Sequence, residues 1–271
     1  MSFLDPRHLV RCAARLAAAL AIAYAAAMPV SAASVAELHP VTARLVPELA
    51  AIAPGTTLWV DLHLDIAPGW HTYWRNPGDS GLPTEIAWTL PAGFAAGEIV
   101  WPVPERFVVE GLGNYGYRDA VDLLVPITVS QDVKPDGTGR LDAAASWLVC
   151  SDICIPGDAK LSVALPVAAT PAVDPSVQEL FAAARNHLPK PASFEARFAT
   201  TAHELRLIVP EEAFSGSEQP KAAFFPFDAN VVDAAAEPKL QHRGNGFELT
   251  LARANTPAAT IPKTLDGILV L

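Results

Sequence analysis

Cys150 and Cys154 are the residues whose type and spacing could do chemistry. Four steps along a strand would place their Cα atoms roughly 13 Å apart, whereas a disulfide needs a Cα separation of about 4.4–6.8 Å. The chain between them must therefore curl. A bridge that closes so short a loop contributes only about 2 kcal/mol to stability, against about 5 kcal/mol for a loop of about one hundred residues. Because closely spaced thiols also suit dithiol chemistry, the spacing is equally compatible with a redox pair and with a structural clip at a turn.

The first thirty-two residues have the pattern of a cleavable export signal, and we predict cleavage after Ala32. A basic segment precedes an apolar run over residues 16–28. This run is shorter than the roughly 20 apolar residues that span a bilayer, and no later segment is longer, so we expect no membrane span. Cys12 lies in the leader, which leaves Cys150 and Cys154 as the cysteines of the mature chain. In an oxidising compartment such a pair normally forms a disulfide.

The composition is that of a globular protein with two domains of ordinary size. Of the 271 residues, 51% are hydrophobic and 18% are charged, which excludes a disordered polyampholyte. The net charge of −10 argues against a nucleic-acid partner, because neutralising phosphates needs a basic face. The 25 prolines outnumber the 16 glycines, and that much proline argues against a mainly helical fold.

Alternating apolar residues predict β-strands on both sides of the cysteines. The clearest alternation runs over residues 58–64, with the period of a half-buried strand. Residues 121–129 predict a second strand, in which Pro126 would mark an edge or a bulge. Residues 143–149 lead into the first cysteine, and residues 161–165 alternate after the second.

One short helix is predicted after an Ala/Pro/Thr-rich linker over residues 168–174. Asp174 can cap this helix and Pro175 suits its first position. We therefore predict an all-β fold of two β-sandwich domains, residues 33–168 and 174–271, with the helix at their junction. The apolar face of the helix comprises Val177, Leu180, Phe181, Ala184 and Leu188. Alternating patterns resume over residues 194–198, 205–209 and 247–251.

Other motifs have simpler structural interpretations. The segment Gly78–Gly81 is similar to the nucleophile turn of trypsin-like proteases, but too few mature residues precede it to carry the triad partners, so we predict a turn. The aromatic run Gly69–Trp74 could bind sugars, although packing in a core is favoured. The two cysteines with a nearby histidine could hold copper(I). No paired zinc spacing occurs among the mature histidines, which are His39, His63, His71, His187, His203 and His242.

The segment around the cysteines, Trp147–Pro156, resembles the active-site segment of the N-terminal periplasmic domain of the DsbD family of thiol:disulfide interchange proteins. The resemblance is strongest to the ScsB-like branch, named for suppression of copper sensitivity. Gly69–Pro83 and Asn114–Asp119 resemble the same group, so most of the first predicted domain is covered. The family implies immunoglobulin-like sandwiches whose cysteine pair exchanges electrons with a thioredoxin-fold partner. DsbD itself separates its cysteines by more residues, so its loop geometry does not transfer.

The resemblance also implies roles for single residues. Cys154 would form the mixed disulfide with a partner, and Cys150 would resolve it. Asp152, as an anion beside the pair, would raise the pKa of the thiols or only cap the turn. The supporting residues, which would order the site, shuttle protons or only pack, are His71, Tyr73 and Tyr117. Residues 107–114 correspond to a cap loop that would shield the pair, with Phe107, Glu110, Gly111, Leu112 and Gly113 as its members.

The predicted function is thus periplasmic thiol:disulfide interchange through Cys150 and Cys154, as a protein-disulfide reductase component with no cofactor and no bound metal. Thioredoxin-fold periplasmic proteins are the expected partners. A membrane electron transporter is expected on a separate chain, since the membrane and C-terminal thioredoxin-like domains of the family are not found in this sequence. Two other classes stay open: a secreted binding protein with a structural clip, and a copper-handling protein that binds copper(I) through the reduced pair.

Overall fold

The computed structural model describes residues 39–214, 221–257, 259 and 263–271, and the predicted export signal lies outside them. Residues His39–Leu271 form one compact unit. The described residues contain eighteen strands and a single α-helix, which confirms the predicted all-β class. No helix among them is long and apolar enough to cross a membrane.

The strands occur on both sides of the helix, α1 (Gln178–Asn186). Those before it are β1 (Val41–Pro47), β2 (Leu49–Ala51), β3 (Thr57–Ile66), β4 (Thr72–Gly78), β5 (Glu85–Thr89), β6 (Phe94–Ala96), β7 (Glu105–Val109), β8 (Leu112–Tyr117), β9 (Ala120–Val129), β10 (Gly137–Cys150), β11 (Cys154–Val167) and β12 (Ala172–Val173). Those after it are β13 (Arg197–Thr200), β14 (Glu204–Pro210), β15 (Ala223–Pro226), β16 (Lys239–Arg243), β17 (Gly246–Ala252) and β18 (Gly267–Val270).

The first sheet of the sandwich is antiparallel, in the order β1-β3-β9-β6. Successive side chains on β3 alternate between its two faces, and this confirms the strand predicted over residues 58–64. The face toward the second sheet carries Leu58, Val60, Leu62 and Leu64, all fully buried. Strand β9 covers the predicted run 121–129, but Pro126 is not at a sheet edge, because β9 lies between β3 and β6. Strand β6 pairs with residues 127–129 of β9, so Pro126 lies one residue outside that paired segment.

The second sheet carries the two cysteines. Strand β10 pairs with β11 along its whole length and with β5 near its middle. A bridge between His71 and Cys150 joins this sheet to β4, which continues in the order β4-β8-β7. The inward-facing side chains of β10 close the core against the first sheet; they are Leu141, Ala143, Ala145, Trp147 and Val149.

Helix α1 covers the outer face of the first sheet. Asp174 accepts a hydrogen bond from the backbone N–H of Ser176, and a 3-10 turn over Pro175–Val177 leads into the helix, as the capping pattern predicts. Phe181 and Ala184 are buried and belong to one cluster with Leu124 of β9. The predicted apolar face of the helix is therefore the face that packs on the sheet.

The strands after α1 form two smaller sheets, β13-β14-β17-β16 and β15-β18. Their alternation confirms the strands predicted over residues 205–209 and 247–251, whereas Phe194 lies before β13. The core between these sheets contains Leu205, Leu207, Val209, Phe214, Phe224, Leu249 and Leu251.

A continuous apolar core joins the later strands to the first sandwich. Phe225 of β15 belongs to the same buried cluster as Trp74 of β4 and Tyr115 of β8, and the ring centroids of Trp74 and Phe225 are 6.2 Å apart. The two domains predicted at residues 33–168 and 174–271 therefore share buried surface. Their boundary stays a prediction.

Candidate functional site

Cys150 and Cys154 face each other at the end of the β10–β11 ladder and form a disulfide. Their Cα atoms are 4.1 Å apart, since the two residues are direct neighbours across the ladder. Three residues make the connection, and the Ser151 N–H donates to the carbonyl oxygen of Ile153 at 2.9 Å. The curl that the spacing predicts is thus the tip of a β-hairpin.

The two sulfur-bearing residues differ in their exposure. Cys150 is only 2% exposed, whereas Cys154 is exposed. Cys150 is also held on its other side, because its N–H donates to the carbonyl oxygen of His71 at 3.0 Å and its carbonyl accepts from the N–H of His71 at 2.9 Å. The pair therefore combines one fixed, buried cysteine with one that a macromolecular partner can reach.

His71, whose backbone is bridged to Cys150, packs its ring between two aromatic side chains. Its ring centroid lies 4.4 Å from that of Phe107 and 5.2 Å from that of Tyr73, and its Nε2 is 3.3 Å from the Tyr73 hydroxyl. Burial, and then the positive charge of Arg118, lowers the pKa of His71 to about 4. The imidazole is accordingly neutral near neutral pH, and it can exchange a hydrogen bond with Tyr73.

Tyr73 and Tyr117 are both buried, and desolvation raises the pKa of each phenol. Gly81, at the end of the predicted turn, has a φ of 98°, and a Cβ there would clash with the ring of Tyr73. Tyr117 instead donates its hydroxyl to the carbonyl oxygen of Pro102 at 2.9 Å. Of the two, Tyr73 is the one that contacts His71.

Asp152 and Ile153 form the outermost part of the hairpin tip. Both are exposed, and Ile153 keeps 63% of its surface accessible. An exposed carboxylate and an exposed aliphatic side chain thus stand between the two cysteines. The sequence pattern drew attention to Asp152 but not to Ile153, although a large apolar residue between two turn cysteines is a visible signal.

The predicted cap loop is a β-hairpin rather than an irregular loop. Strands β7 and β8 pair up to Val109 and Leu112, so only Glu110 and Gly111 form the turn. Their φ angles of 50° and 83° are both positive, as in the two-residue turns that match the twist of a hairpin. Among the predicted cap members, Phe107 is buried against His71, and Gly113 is buried, while Glu110, Gly111 and Leu112 are exposed.

The hairpin is held from the side of the later strands, which the sequence did not predict. Arg106 donates from Nε to the carbonyl oxygen of Ala234 at 2.8 Å and from an Nη to that of Ala235 at 2.8 Å. A Cβ at Gly113 would clash with the backbone of Ala234. Because these contacts span more than a hundred residues, no local pattern could reveal them.

A second group of polar side chains lies on the outer face of the first sheet. Asp61, His63 and Asp122 bring one ligand atom each within 4.8 Å of one another. Sequence analysis found no metal spacing here, because Asp122 comes from a different strand. The register that places it opposite His63 supplies the missing proximity.

Comparison with known proteins agrees with the motif around the cysteines. Residues 42–166 match the family model described as the N-terminal part of the thiol:disulfide interchange protein DsbD. Among solved structures, the fold is similar to the N-terminal periplasmic domain of ScsB from Proteus mirabilis. That match has a TM-score of 0.60 and 20% sequence identity, and it covers 85% of this chain and 86% of that chain. No curated protein matches the sequence. The resemblance of the segment around the cysteines to the DsbD family is therefore confirmed by a match over residues 42–166.

Proposed function

We propose that this protein is a periplasmic thiol:disulfide interchange protein that works through Cys150 and Cys154. One observation carries the proposal: a disulfide joins an exposed cysteine and a buried one at a hairpin tip, within the residues that match the DsbD N-terminal family model. The names of the family and of the similar ScsB domain support a periplasmic location and thiol chemistry.

The proposed reaction is two successive thiol–disulfide exchanges. In the direction that reduces a partner, the Cys154 thiolate attacks a sulfur of the partner's disulfide, forms a mixed disulfide and releases the partner's first thiolate. The Cys150 thiolate then attacks the sulfur of Cys154, restores the bridge seen here and releases the partner's second thiolate. Two electrons pass to the partner, whose thiolates take up the two protons that the cysteines lost. The same steps in reverse reduce this protein.

Exposure supports this division of roles. A thioredoxin-fold partner presents its reactive sulfur at its surface, so the cysteine that forms the mixed disulfide with it must be accessible. Cys154 is exposed, while Cys150 is 2% exposed and lies under the backbone bridge to His71. We assign Ile153 as an apolar contact for the partner, and Asp152 as the anion that raises the pKa of the exposed thiol and restrains its reaction with unselected disulfides. A membrane electron transporter on another chain is the proposed source of electrons.

Trapping a mixed disulfide tests the assignment. The probe is a thioredoxin-fold protein with a single surface thiol, activated as a thionitrobenzoate mixed disulfide. The Cys150→Ser variant, which retains Cys154, should form the protein–protein disulfide at least ten times faster than Cys154→Ser, because Cys150 is buried. The protein–protein disulfide is detected on non-reducing gels, and the released thionitrobenzoate is measured by its absorbance.

The double variant Cys150→Ser/Cys154→Ser is the matched control and should form no adduct. Equal rates for the two single variants would contradict the roles assigned to the cysteines. Failure of both single variants to react while remaining folded would remove the interchange function itself.

A further inference from the structure

The outer face of β3 carries a row of polar side chains. Alternation places Asp61, His63 and Asp65 on this face, opposite the buried leucines. Asp122 of β9 stands directly across from His63 in the register, and cross-strand partners project to the same face. Two strands therefore bring three carboxylates and one imidazole together.

Asp61 is the unusual member of this group. It is fully buried, and its neighbours in register are Val46 of β1 and Leu124 of β9. Leu124 is itself covered by Phe181 of α1. Neither carboxylate oxygen of Asp61 has a hydrogen-bond partner. A buried acidic side chain without a donor is costly unless it is neutralised or bound to a cation.

His63 is oriented as metal-binding histidines are. Its Nε2 lies 3.1 Å from Oδ1 of Asp65, and Asp65 also accepts from Arg44 at 3.1 Å. In metal-binding histidines, a carboxylate at one ring nitrogen orients the ring so that the other nitrogen can bind the cation. Nδ1 of His63 is 2.6 Å from Oδ1 of Asp122 and 4.0 Å from Oδ2 of Asp61. Nδ1, which hydrogen-bonds to Asp122, thus lies between the two carboxylates, and a bound cation would take the place of its proton.

The group can be reached from solvent. The side chains of His63 and Asp122 are 12% and 19% exposed. Asp122 also lines a cavity of about 390 Å³ whose other walls include Glu105, Arg118 and His187. A hydrated cation can enter by this cavity, and water can complete its coordination from the same side.

We propose that Asp61, His63 and Asp122 bind a divalent transition-metal cation, with Asp65 as a positioning residue for His63. One imidazole nitrogen and two carboxylate oxygens suit Zn²⁺ or Mn²⁺, whereas the soft ion copper(I) prefers sulfur. The three donor atoms lie within 4.8 Å of one another. Metal bonds of about 2.0–2.2 Å require donors about 3–4 Å apart, so small side-chain rotations close the site. The site uses neither cysteine and is independent of the proposed redox function.

Calorimetric titration of the metal-free protein with ZnCl₂ and MnCl₂ tests the site. The Cys150→Ser/Cys154→Ser background removes thiol binding. We expect one cation per chain, a thermal midpoint that rises with cation concentration, and at least tenfold weaker binding of Mg²⁺, which keeps its waters and favours oxygen-rich sites.

Three variants and two controls locate the cation. Asp61→Asn keeps the size of the side chain and removes its charge, and with His63→Ala it should weaken binding at least a hundredfold. Asp65→Asn, acting through His63, should weaken binding about 10- to 100-fold. The exposed controls Asp132→Asn and His203→Ala should leave binding unchanged. Lack of saturable binding, or unchanged affinity in a folded Asp61→Asn variant, would overturn the proposal. Equal weakening in the controls would overturn it as well.

Discussion

His71 is buried as a neutral imidazole, and this makes the stability of the fold depend on pH. Its pKa is about 4 in the folded protein, against an ordinary value of 6.5. The unfolded chain therefore binds more protons in this window, and stability is present above pH 6.5 and lost as the pH falls toward 4. At most about 3 kcal/mol is involved. Denaturant unfolding of the wild type and of His71→Gln between pH 7 and 4 checks this. The free energy of unfolding should fall less steeply with decreasing pH in the variant.

Exposed His203 provides the comparison for this measurement. His203→Gln should keep the wild-type dependence on pH. If His71→Gln also keeps the wild-type dependence, the imidazole of His71 is not the group whose protonation opposes folding, and the ring only packs against Tyr73 and Phe107.

The spacing of Cys150 and Cys154 was sufficient to predict a curl and a disulfide, because both depend on residues four apart in the chain. The alternation around residue 61 could not reveal that Asp61 is buried. Its cross-strand neighbour Leu124 packs against α1, which comes more than a hundred residues after Asp61. Nor could the alternation pair His63 with Asp122, which depends on the register of two strands. Interactions between residues that are close in the chain could thus be predicted, whereas those between distant residues could not.

The β7–β8 hairpin offers a test of shielding at the scale of one element. Glu110 and Gly111 both have positive φ angles, which Asn and Gly tolerate and β-branched residues do not. Glu110→Asn should stabilise the protein by about 1 kcal/mol or less, because Asn adopts the left-handed region at a lower cost than Glu. Gly111→Val should destabilise the hairpin by about 1–3 kcal/mol. Because Phe107 of this hairpin packs on His71, Gly111→Val should also speed reaction of the reduced cysteines with oxidised glutathione.

Gly111→Asn is the matched control, since it adds a side chain at a position with open space around it but accepts the same φ. Its reaction rate should equal that of the wild type within about twofold, measured by quenched mass spectrometry. A folded Gly111→Val variant that reacts no faster than Gly111→Asn would mean that the hairpin does not shield the pair.

The two-residue period of β3 and the helical period of α1 were sufficient to predict each element and the face that it buries. Residues 107–114 were predicted as a Gly-rich cap loop from the resemblance to the DsbD family, not from a local pattern. The glycines, Gly111 and Gly113, instead serve the turn and the close contact with Ala234. A glycine in a possible strand can mark either a turn or a close approach of another backbone, and the sequence pattern is the same for both.

On the scale of the whole molecule, the disulfide should matter little for folding. The β10–β11 ladder holds both strands in register from Gly137 to Val167 without it, and the shared core around Trp74 lies elsewhere. Reduction should therefore cost about 2 kcal/mol or less and lower the thermal midpoint by about 4–8 °C. Circular dichroism melts with and without reductant check this, with Cys150→Ser/Cys154→Ser as the permanently open control. Unfolding of the first sandwich on reduction would favour a structural clip over an interchange function.

The bridge between Cys150 and His71 also has a kinetic consequence. Since ladder and bridge fix the backbone of Cys150 whether or not the disulfide is closed, the two sulfurs stay neighbours in the reduced state. Attack of Cys150 on a mixed disulfide at Cys154 is then intramolecular, with the high effective molarity of a positioned pair. The covalent complex would accordingly be short-lived. Each partner would then be released soon after its disulfide is exchanged.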